Sequence, residues 1–202
     1  MKKTFFMAVT ALMMAINMNA QVGYEDTKHE VSITLGVGSN SQLIDTYENV
    51  IDFVFGYSAE NERYMEPISA EYYYHLNKWL SIGSSLTFAN HKQDLYSTSY
   101  YRTTPTYKGK CSSNYYTLLP GVKFNFLRKT HFGLYSKAAL GVTLRTESIE
   151  YVADDEYKDT DLLLNWQLSL IGIEGGSPYL RAFAELGMGE QGVVCAGIRY
   201  KF

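Results

Sequence analysis

The sequence predicts an all-β protein, an eight-stranded antiparallel up-and-down transmembrane β-barrel. Three observations carry that expectation. Eight stretches alternate apolar and polar residues with period two, the charges within them fall on one face, and the connectors are by turns long and short. Composition agrees. The chain has 202 residues, 46% hydrophobic and 15% aromatic, with 18 tyrosines but only 4 prolines. Disordered chains lack that aromatic content. A mean hydropathy of -0.18 is too low for a bundle of transmembrane helices, each of which needs roughly 20 mostly apolar residues. A formal net charge of -3 offers no basic excess with which to hold nucleic acid. Two cysteines cannot build a disulfide scaffold or a Cys-rich zinc site. No metal and no cofactor are expected.

The N-terminus reads as an address. Lys2 and Lys3 precede an apolar run over 5–16, and small and polar residues follow to Ala20. This is the layout of a secretory signal peptide, so 1–20 is expected to be cleaved. Residues 21–28 then form a short periplasmic segment, and 29–202 the barrel.

The first alternating segment, 29–38, puts Val31, Ile33, Leu35 and Val37 on one face and Ser32, Thr34 and Gly36 on the other. In the second, 66–76, Ala70, Tyr72, Tyr74 and Leu76 oppose Ser69, Glu71, Tyr73 and His75. The third, 79–89, sets Ile82, Leu86 and Phe88 against Ser81, Gly83, Ser85 and Thr87. The fourth, 115–126, sets Tyr116, Leu118, Val122, Phe124 and Phe126 against Thr117, Gly121, Lys123 and Asn125. In the fifth, Leu134, Ala138, Leu140, Val142 and Leu144 oppose Tyr135, Lys137, Thr143 and Arg145. The sixth opposes Leu162, Leu164, Trp166 and Leu168 to Asn165, Gln167 and Ser169. The seventh opposes Leu180, Ala182, Ala184 and Leu186 to Arg181 and Glu185. The eighth opposes Val194, Ala196, Ile198, Tyr200 and Phe202 to Cys195, Arg199 and Lys201. Segments of this length exceed the usual strand of ~5–6 residues and suit a tilted membrane-spanning strand of about 9–11.

Connectors give an independent check. Those at 39–65, 90–114 and 146–160 are long, and those after the second, fourth and sixth segments are short. Membrane barrels have that asymmetry, with short periplasmic turns and longer outer loops. The seventh connector, near Gly189, Glu190 and Gln191, is short where a long one belongs.

One face of the eight segments is almost free of charge. The other carries Glu71, Lys123, Lys137, Arg145, Arg181, Glu185 and Arg199. Eight strands leave an interior just wide enough for side chains to fill. Glycine, serine and long charged chains fill it well, whereas eight rows of leucine and phenylalanine overfill it. The charged face is therefore expected inside, as a network plugging a polar interior. Buried charges need partners, so Glu71 and Glu185 should accept bonds from bases such as Lys137 and Arg181.

Aromatic residues sit near segment ends, where interfacial girdles belong. Tyr74, Trp79, Phe124, Phe126, Phe132 and Tyr179 mark the periplasmic side, and Tyr100, Tyr101, Tyr107 and Tyr115 the outer side. Within the first long connector, 41–57 leaves the strand pattern. Leu43, Ile44, Tyr47, Val50, Ile51, Val54 and Phe55 follow helical spacing, and Asp45 with Glu48 resembles a capping box. A short amphipathic helix is expected there, packed over the barrel mouth. Cys111 and Cys195 are expected as free thiols, since a bridge between the fourth and eighth strands needs the second loop to fold inward.

The last ten residues, Val193-Val194-Cys195-Ala196-Gly197-Ile198-Arg199-Tyr200-Lys201-Phe202, end on phenylalanine with apolar residues at every second position. A second cue is the tight hairpin Tyr72-Tyr73-Tyr74-His75-Leu76-Asn77-Lys78-Trp79-Leu80. Together they resemble the small eight-stranded outer-membrane barrels of the OmpA/OmpX type. The resemblance implies the outer membrane of a Gram-negative bacterium. It implies outer-membrane lipid around the barrel, with the barrel-assembly machinery and periplasmic chaperones as partners in biogenesis. It also makes Val194, Ala196, Ile198, Tyr200 and Phe202 a C-terminal assembly signal. No peptidoglycan-binding domain is expected to follow.

The function expected is that of a surface-interaction scaffold acting through the outer loops on an external ligand. A small low-conductance channel is the first alternative. A lipid-modifying enzyme is the second, but His29, His75, His91 and His131 lie in no His-x-Ser arrangement, and no catalytic constellation is recognisable.

Overall fold

The computed structural model describes residues 27–42, 57–97, 106–151 and 156–202. The proposed signal peptide, Tyr100, Tyr101, the Asp45/Glu48 capping box and most of the proposed 41–57 helix lie outside the described residues. Alternation becomes strand, and the strands close into a ring. The order is β1 (His29–Val37), β2 (Tyr57–His75), β3 (Leu80–Ser97), β4 (Thr106–Arg128), β5 (Phe132–Tyr151), β6 (Glu156–Gly176), β7 (Leu180–Gly189) and β8 (Val194–Lys201). Each strand pairs antiparallel with its sequence neighbours, and β1 closes on β8. Closure matters because hydrocarbon offers no partner for an unpaired N–H or C=O.

The register tilts the strands. Starting at Leu162, the cross-strand partners run through Leu144, Tyr116, Phe88, Ile68, Leu35, Ala196 and Ala184. They return to β6 at Ile173 rather than at Leu162. That stagger is the shear a closed barrel requires. It also stacks inward side chains from different strands into layers.

Burial is inverted relative to a water-soluble core. Lys123, Arg199 and Arg181 are among the largest fully buried side chains, while Leu164 is 85% exposed and Leu140 66%. Leucine on the outside and charge on the inside is stable only where lipid surrounds the barrel.

The strands are unequal, and this corrects the expected loops. β1 pairs with β2 only as far as Leu35 and Ile68, yet β2 continues against β3 to Tyr57. β6 pairs with β5 to Glu156, whereas its pairing with β7 starts at Gln167. Much of 39–65, 90–114 and 146–160 is therefore strand. A five-stranded sheet, β2 to β6, rises past the short β7–β8 hairpin and, among the described residues, has no partner strand on its outer edges along β2 and β6. Its sequence hides it because both faces are wet there. Lys92, Gln93, Asp94, Ser112, Ser113 and Asn114 carry no apolar alternation, and only the pairing ladder makes them strand.

A helical turn at 40–42 opens the β1–β2 connector. Ser39 caps it. The Ser39 N–H donates to Gln42 Oε1 at 3.2 Å, and the Gln42 N–H returns to Ser39 Oγ at 3.4 Å, a reciprocal capping box.

Candidate functional site

The interior is layered by charge. At the short-turn end Glu30 from β1 and Glu174 from β6 meet four bases. Lys123 Nζ donates to Glu30 Oε1 at 2.6 Å, and Arg181 Nη1 to Glu174 Oε1 at 2.7 Å. Arg199 and Lys201 also bond Glu174. The Arg199 guanidinium lies 4.3 Å from the Phe183 ring centroid and 4.8 Å from that of Tyr135, so its planar faces are covered. Arg181 Nη2 donates to the carbonyls of Lys129 and Thr130, tying this layer to the β4–β5 turn.

In the middle layer Lys137 stands between two carboxylates. Its Nζ lies 2.7 Å from Glu71 Oε1 and 2.9 Å from Glu185 Oε2. The remaining oxygen capacity is filled by neutral donors. Ser32 Oγ and Gln191 Nε2 donate to Glu71 at 3.1 and 2.6 Å, and Tyr135 Oη to Glu185 at 2.7 Å. A buried ion pair survives when its lone pairs are satisfied in this way.

Among the described residues the third layer has no base. Glu190 and Gln191 belong to the β7–β8 turn, which folds into the barrel instead of projecting from it; both side chains are buried. Gln191 reaches down to Glu71. Glu190 accepts from the Ser41 N–H at 3.1 Å, from Asn165 Nδ2 at 2.8 Å, and from the hydroxyls of Ser41 and Thr117. The short seventh connector thus packs against the inner wall of the barrel. Gly36 makes room for it, since a Cβ there would stand 1.6 Å from the Gln191 carbonyl oxygen.

Of the charged residues singled out from sequence, Glu71, Lys123, Lys137, Arg181, Glu185 and Arg199 converge in the first two layers. Arg181 bonds Glu174 rather than Glu71 or Glu185. Arg145 stands apart near the outer end, 2.9 Å from Glu147, whose carboxylate also accepts from the Cys111 thiol. Cys111 and Cys195 are free and buried. Sequence reasoning missed Glu30, Glu174, Glu190, Gln191 and Tyr135. One signal pointed to missing acids: inward bases outnumbered Glu71 and Glu185, and buried charge demands balance.

Ser81, His75 and Glu30 line up in the lowest layer. Ser81 Oγ is 2.5 Å from His75 Nδ1, and His75 Nε2 is 3.2 Å from Glu30. The order resembles a nucleophile, base and acid, but its surroundings do not serve one. Ser81 is fully buried and also accepts from Asn125 Nδ2, and Glu30 is held by Lys123. No ester carbonyl can approach the hydroxyl.

Outside, Trp79 and Phe124 stack at the short-turn rim with Phe132, Tyr179, Tyr200 and Phe202 exposed beside them; Tyr74 and Phe126 are half-buried. Val194, Ile198, Tyr200 and Phe202 face outward, and the Phe202 N–H closes on the His29 carbonyl. The opposite rim differs from expectation. Tyr115 is inward and buried beneath Arg145, and Tyr107 lies beyond the rim in the projecting sheet. Phe88 and Tyr116, 5.2 Å apart, hold that boundary instead, with Leu144 and Leu162 in the same row. Asn90, Asn114, Thr146 and Thr160 form the polar row just outside it.

No family model and no curated protein matches the sequence. Among solved structures the barrel is similar to the attachment invasion locus protein Ail of Yersinia pestis, crystallised in complex with the heparin analogue sucrose octasulfate. That match has a TM-score of 0.45 at 15% identity and covers 87% of this chain and 99% of that one. The N-terminal β-barrel domain of Pseudomonas aeruginosa OprF gives a TM-score of 0.41 at 11% identity, over 88% of this chain and 100% of that one.

Proposed function

We propose that this chain is a plugged barrel of the Gram-negative outer membrane and that it acts at the cell surface, through the sheet and connectors that project beyond the bilayer. One observation carries the reading: the interior is filled by partnered charges and by its own β7–β8 turn, while the outer half of β6 is left open. From 156 to 165 one edge of β6 has its ladder on β5 and, among the described residues, the other edge has no partner strand. An exposed edge of that kind accepts an extended segment by main-chain hydrogen bonding. Exposed Lys158, Asp159 and Asp161 are the charges that keep such an edge from pairing indiscriminately. An external protein ligand is the partner this surface suits. Outer-membrane lipid, periplasmic chaperones and an assembly machinery reading Val194, Ala196, Ile198, Tyr200 and Phe202 complete the set of partners.

Planar-bilayer conductance of the refolded protein is the test, with a boiled-versus-unboiled gel shift to show that the barrel has formed. A folded barrel without discrete conductance steps is the expected result. Reproducible steps would mean that the charged layers are hydrated and connected, and would replace the scaffold with a small channel.

A further inference from the structure

We propose that Arg63 and Lys92 form a docking site on the outside of the wall for the phosphate headgroups of the lipid around the barrel's outer half. That site rests on the outer-membrane placement of the chain and gives its lipid contact a particular chemistry and place.

The register lays the outward side chains of β2 to β6 in rows. Beyond Phe88, Tyr116, Leu144 and Leu162 comes the amide and hydroxyl row of Asn90, Asn114, Thr146 and Thr160. The next row outward runs Arg63, Lys92, Ser112, Ser148 and Lys158. It carries exposed bases and hydroxyls, and no acid.

These rows are inclined, because the strands tilt. A row followed from Leu162 through β5, β4 and β3 to β2 and on around the barrel comes back to β6 at Ile173, nearer the short turns. The β2–β3 end of each row therefore lies closer to the bilayer than its β6 end. Arg63 and Lys92 are the low members of the basic row, and Lys158 is the high one. Along β3, Lys92 stands four residues past Phe88. That is about 13 Å of strand, or roughly 10 Å of height at a tilt of ~40°. Phe88 is itself at the low end of its row, so Lys92 stands nearer the hydrocarbon edge than that. The headgroup layer is roughly 5–8 Å deep on each side, and Lys and Arg stems lie along apolar surface to bring their charge back to it. Met65 and Phe88, on the membrane side of the two bases, offer that surface.

The charges on this flank call for an anion. Arg63 is the cross-strand partner of Lys92, and like charges directly opposite destabilise a sheet. Neither side chain makes a hydrogen bond or ion pair among the described residues. Of the acids on β2 and β3 whose side chains are described, Glu71 faces the interior, and Glu66 accepts from Gln42 Nε2. Asp94 lies one row further out, opposite Lys110. A neutral donor stands diagonally across from Lys92. Asn90 Nδ2 donates to Asn114 Oδ1 at 2.8 Å, and the Asn114 Nδ2 has no partner among the described residues. A guanidinium fork, an ammonium and an amide thus share one corner beside the lipid, and phosphate oxygens suit such donors. A headgroup phosphate between the two bases would cancel their repulsion.

Reversible urea unfolding of the full chain in two kinds of vesicle tests this. One kind is phosphorus-free galactolipid, and the other is the same lipid with phosphatidic acid added. The unsubstituted protein should be more stable in the second. Arg63→Gln and Lys92→Gln should each cut that gain by about fivefold in the unfolding constant, the worth of one base at an anionic surface. Lys158→Gln, higher on the sheet, should leave the gain unchanged. In galactolipid alone neither Arg63→Gln nor Lys92→Gln should destabilise, since each removes one of two opposed like charges. A gain unchanged in both variants overturns the proposal. An equal loss in Lys158→Gln also overturns it, by showing a diffuse field instead of a site. Inorganic phosphate that reproduces the gain in galactolipid vesicles would make the ligand a free anion and overturn the lipid assignment. Should a variant fail to insert, dephasing of the Lys92 ammonium nitrogen by lipid phosphorus in the unsubstituted protein decides. Dephasing stronger than at Lys158 supports the site, and dephasing no stronger overturns it. An unsubstituted chain that enters neither vesicle, with no gel shift on boiling, would overturn the outer-membrane reading itself, an outcome distinct from all of these.

Discussion

Lys137 shows what the interior costs and what it returns. Its ammonium is buried between Glu71 and Glu185, and removing it would leave two carboxylates facing each other with only Arg199 Nη2, 3.9 Å from each, to offset them. Breaking a buried pair from one side costs ~3–5 kcal/mol, because the surviving charge stays desolvated. Lys137→Met should therefore lower barrel stability by about that much in urea titrations of the protein in lipid vesicles. A loss under ~1 kcal/mol would show the layer to be hydrated. Arg145→Met is the contrast. Its Glu147 partner is partly solvated, and such pairs contribute roughly 0–1 kcal/mol. The inward position of Lys137 was legible because period two assigns every residue of a segment to a face. Glu30 and Glu174 were not legible. They stand at strand ends, where alternation has too few residues on one side to assign them, and their roles appear only once the register brings them to Lys123 and Arg199.

Among the elements, the β7–β8 turn departs furthest from its sequence pattern. Its brevity stood out as an exception, but brevity does not say whether a turn points out or in. What turns it inward is complementarity spread along the chain: glycine at 36, Gln167 bonding the Gln191 N–H, and Glu71 below. Gly36→Ala places a methyl group against the Gln191 carbonyl oxygen, so the turn must lift. Overpacking of this kind costs typically ~1–3 kcal/mol. The Gln191 amide should lose hydrogen-exchange protection while the β3–β4 ladder keeps its own; retained protection at Gln191 would mean the wall yields instead. The projecting strands teach the complementary lesson. Alternation reports a difference between two environments, so it marked the lipid-flanked halves of β3 to β6 and fell silent where both faces meet water.

At the scale of the whole molecule the fold was legible nearly in full, because a bilayer constrains every strand at once. Each crossing must be apolar outward, polar inward and paired on both edges. The height of the apolar band was less legible, since Tyr115 and Tyr107 looked like a girdle by position along the chain. The register instead sets the outer boundary at the row of Phe88, Tyr116, Leu144 and Leu162. That placement makes a quantitative demand on one strand. Along β5 the outward residues run from Phe132 at the short-turn rim to Leu144 at the outer one, with Leu140 between. An arginine on the lipid face costs about 2–4 kcal/mol at the bilayer midplane and about 0–1 near an interface. Leu140→Arg should therefore destabilise the inserted barrel by about 1–4 kcal/mol more than Leu144→Arg in reversible unfolding from lipid vesicles. Equal costs would put both residues at one depth and move the boundary outward, into the row of Asn90, Asn114, Thr146 and Thr160. That row carries amides and hydroxyls on its outer face and would then have to be immersed in hydrocarbon, which its chemistry opposes.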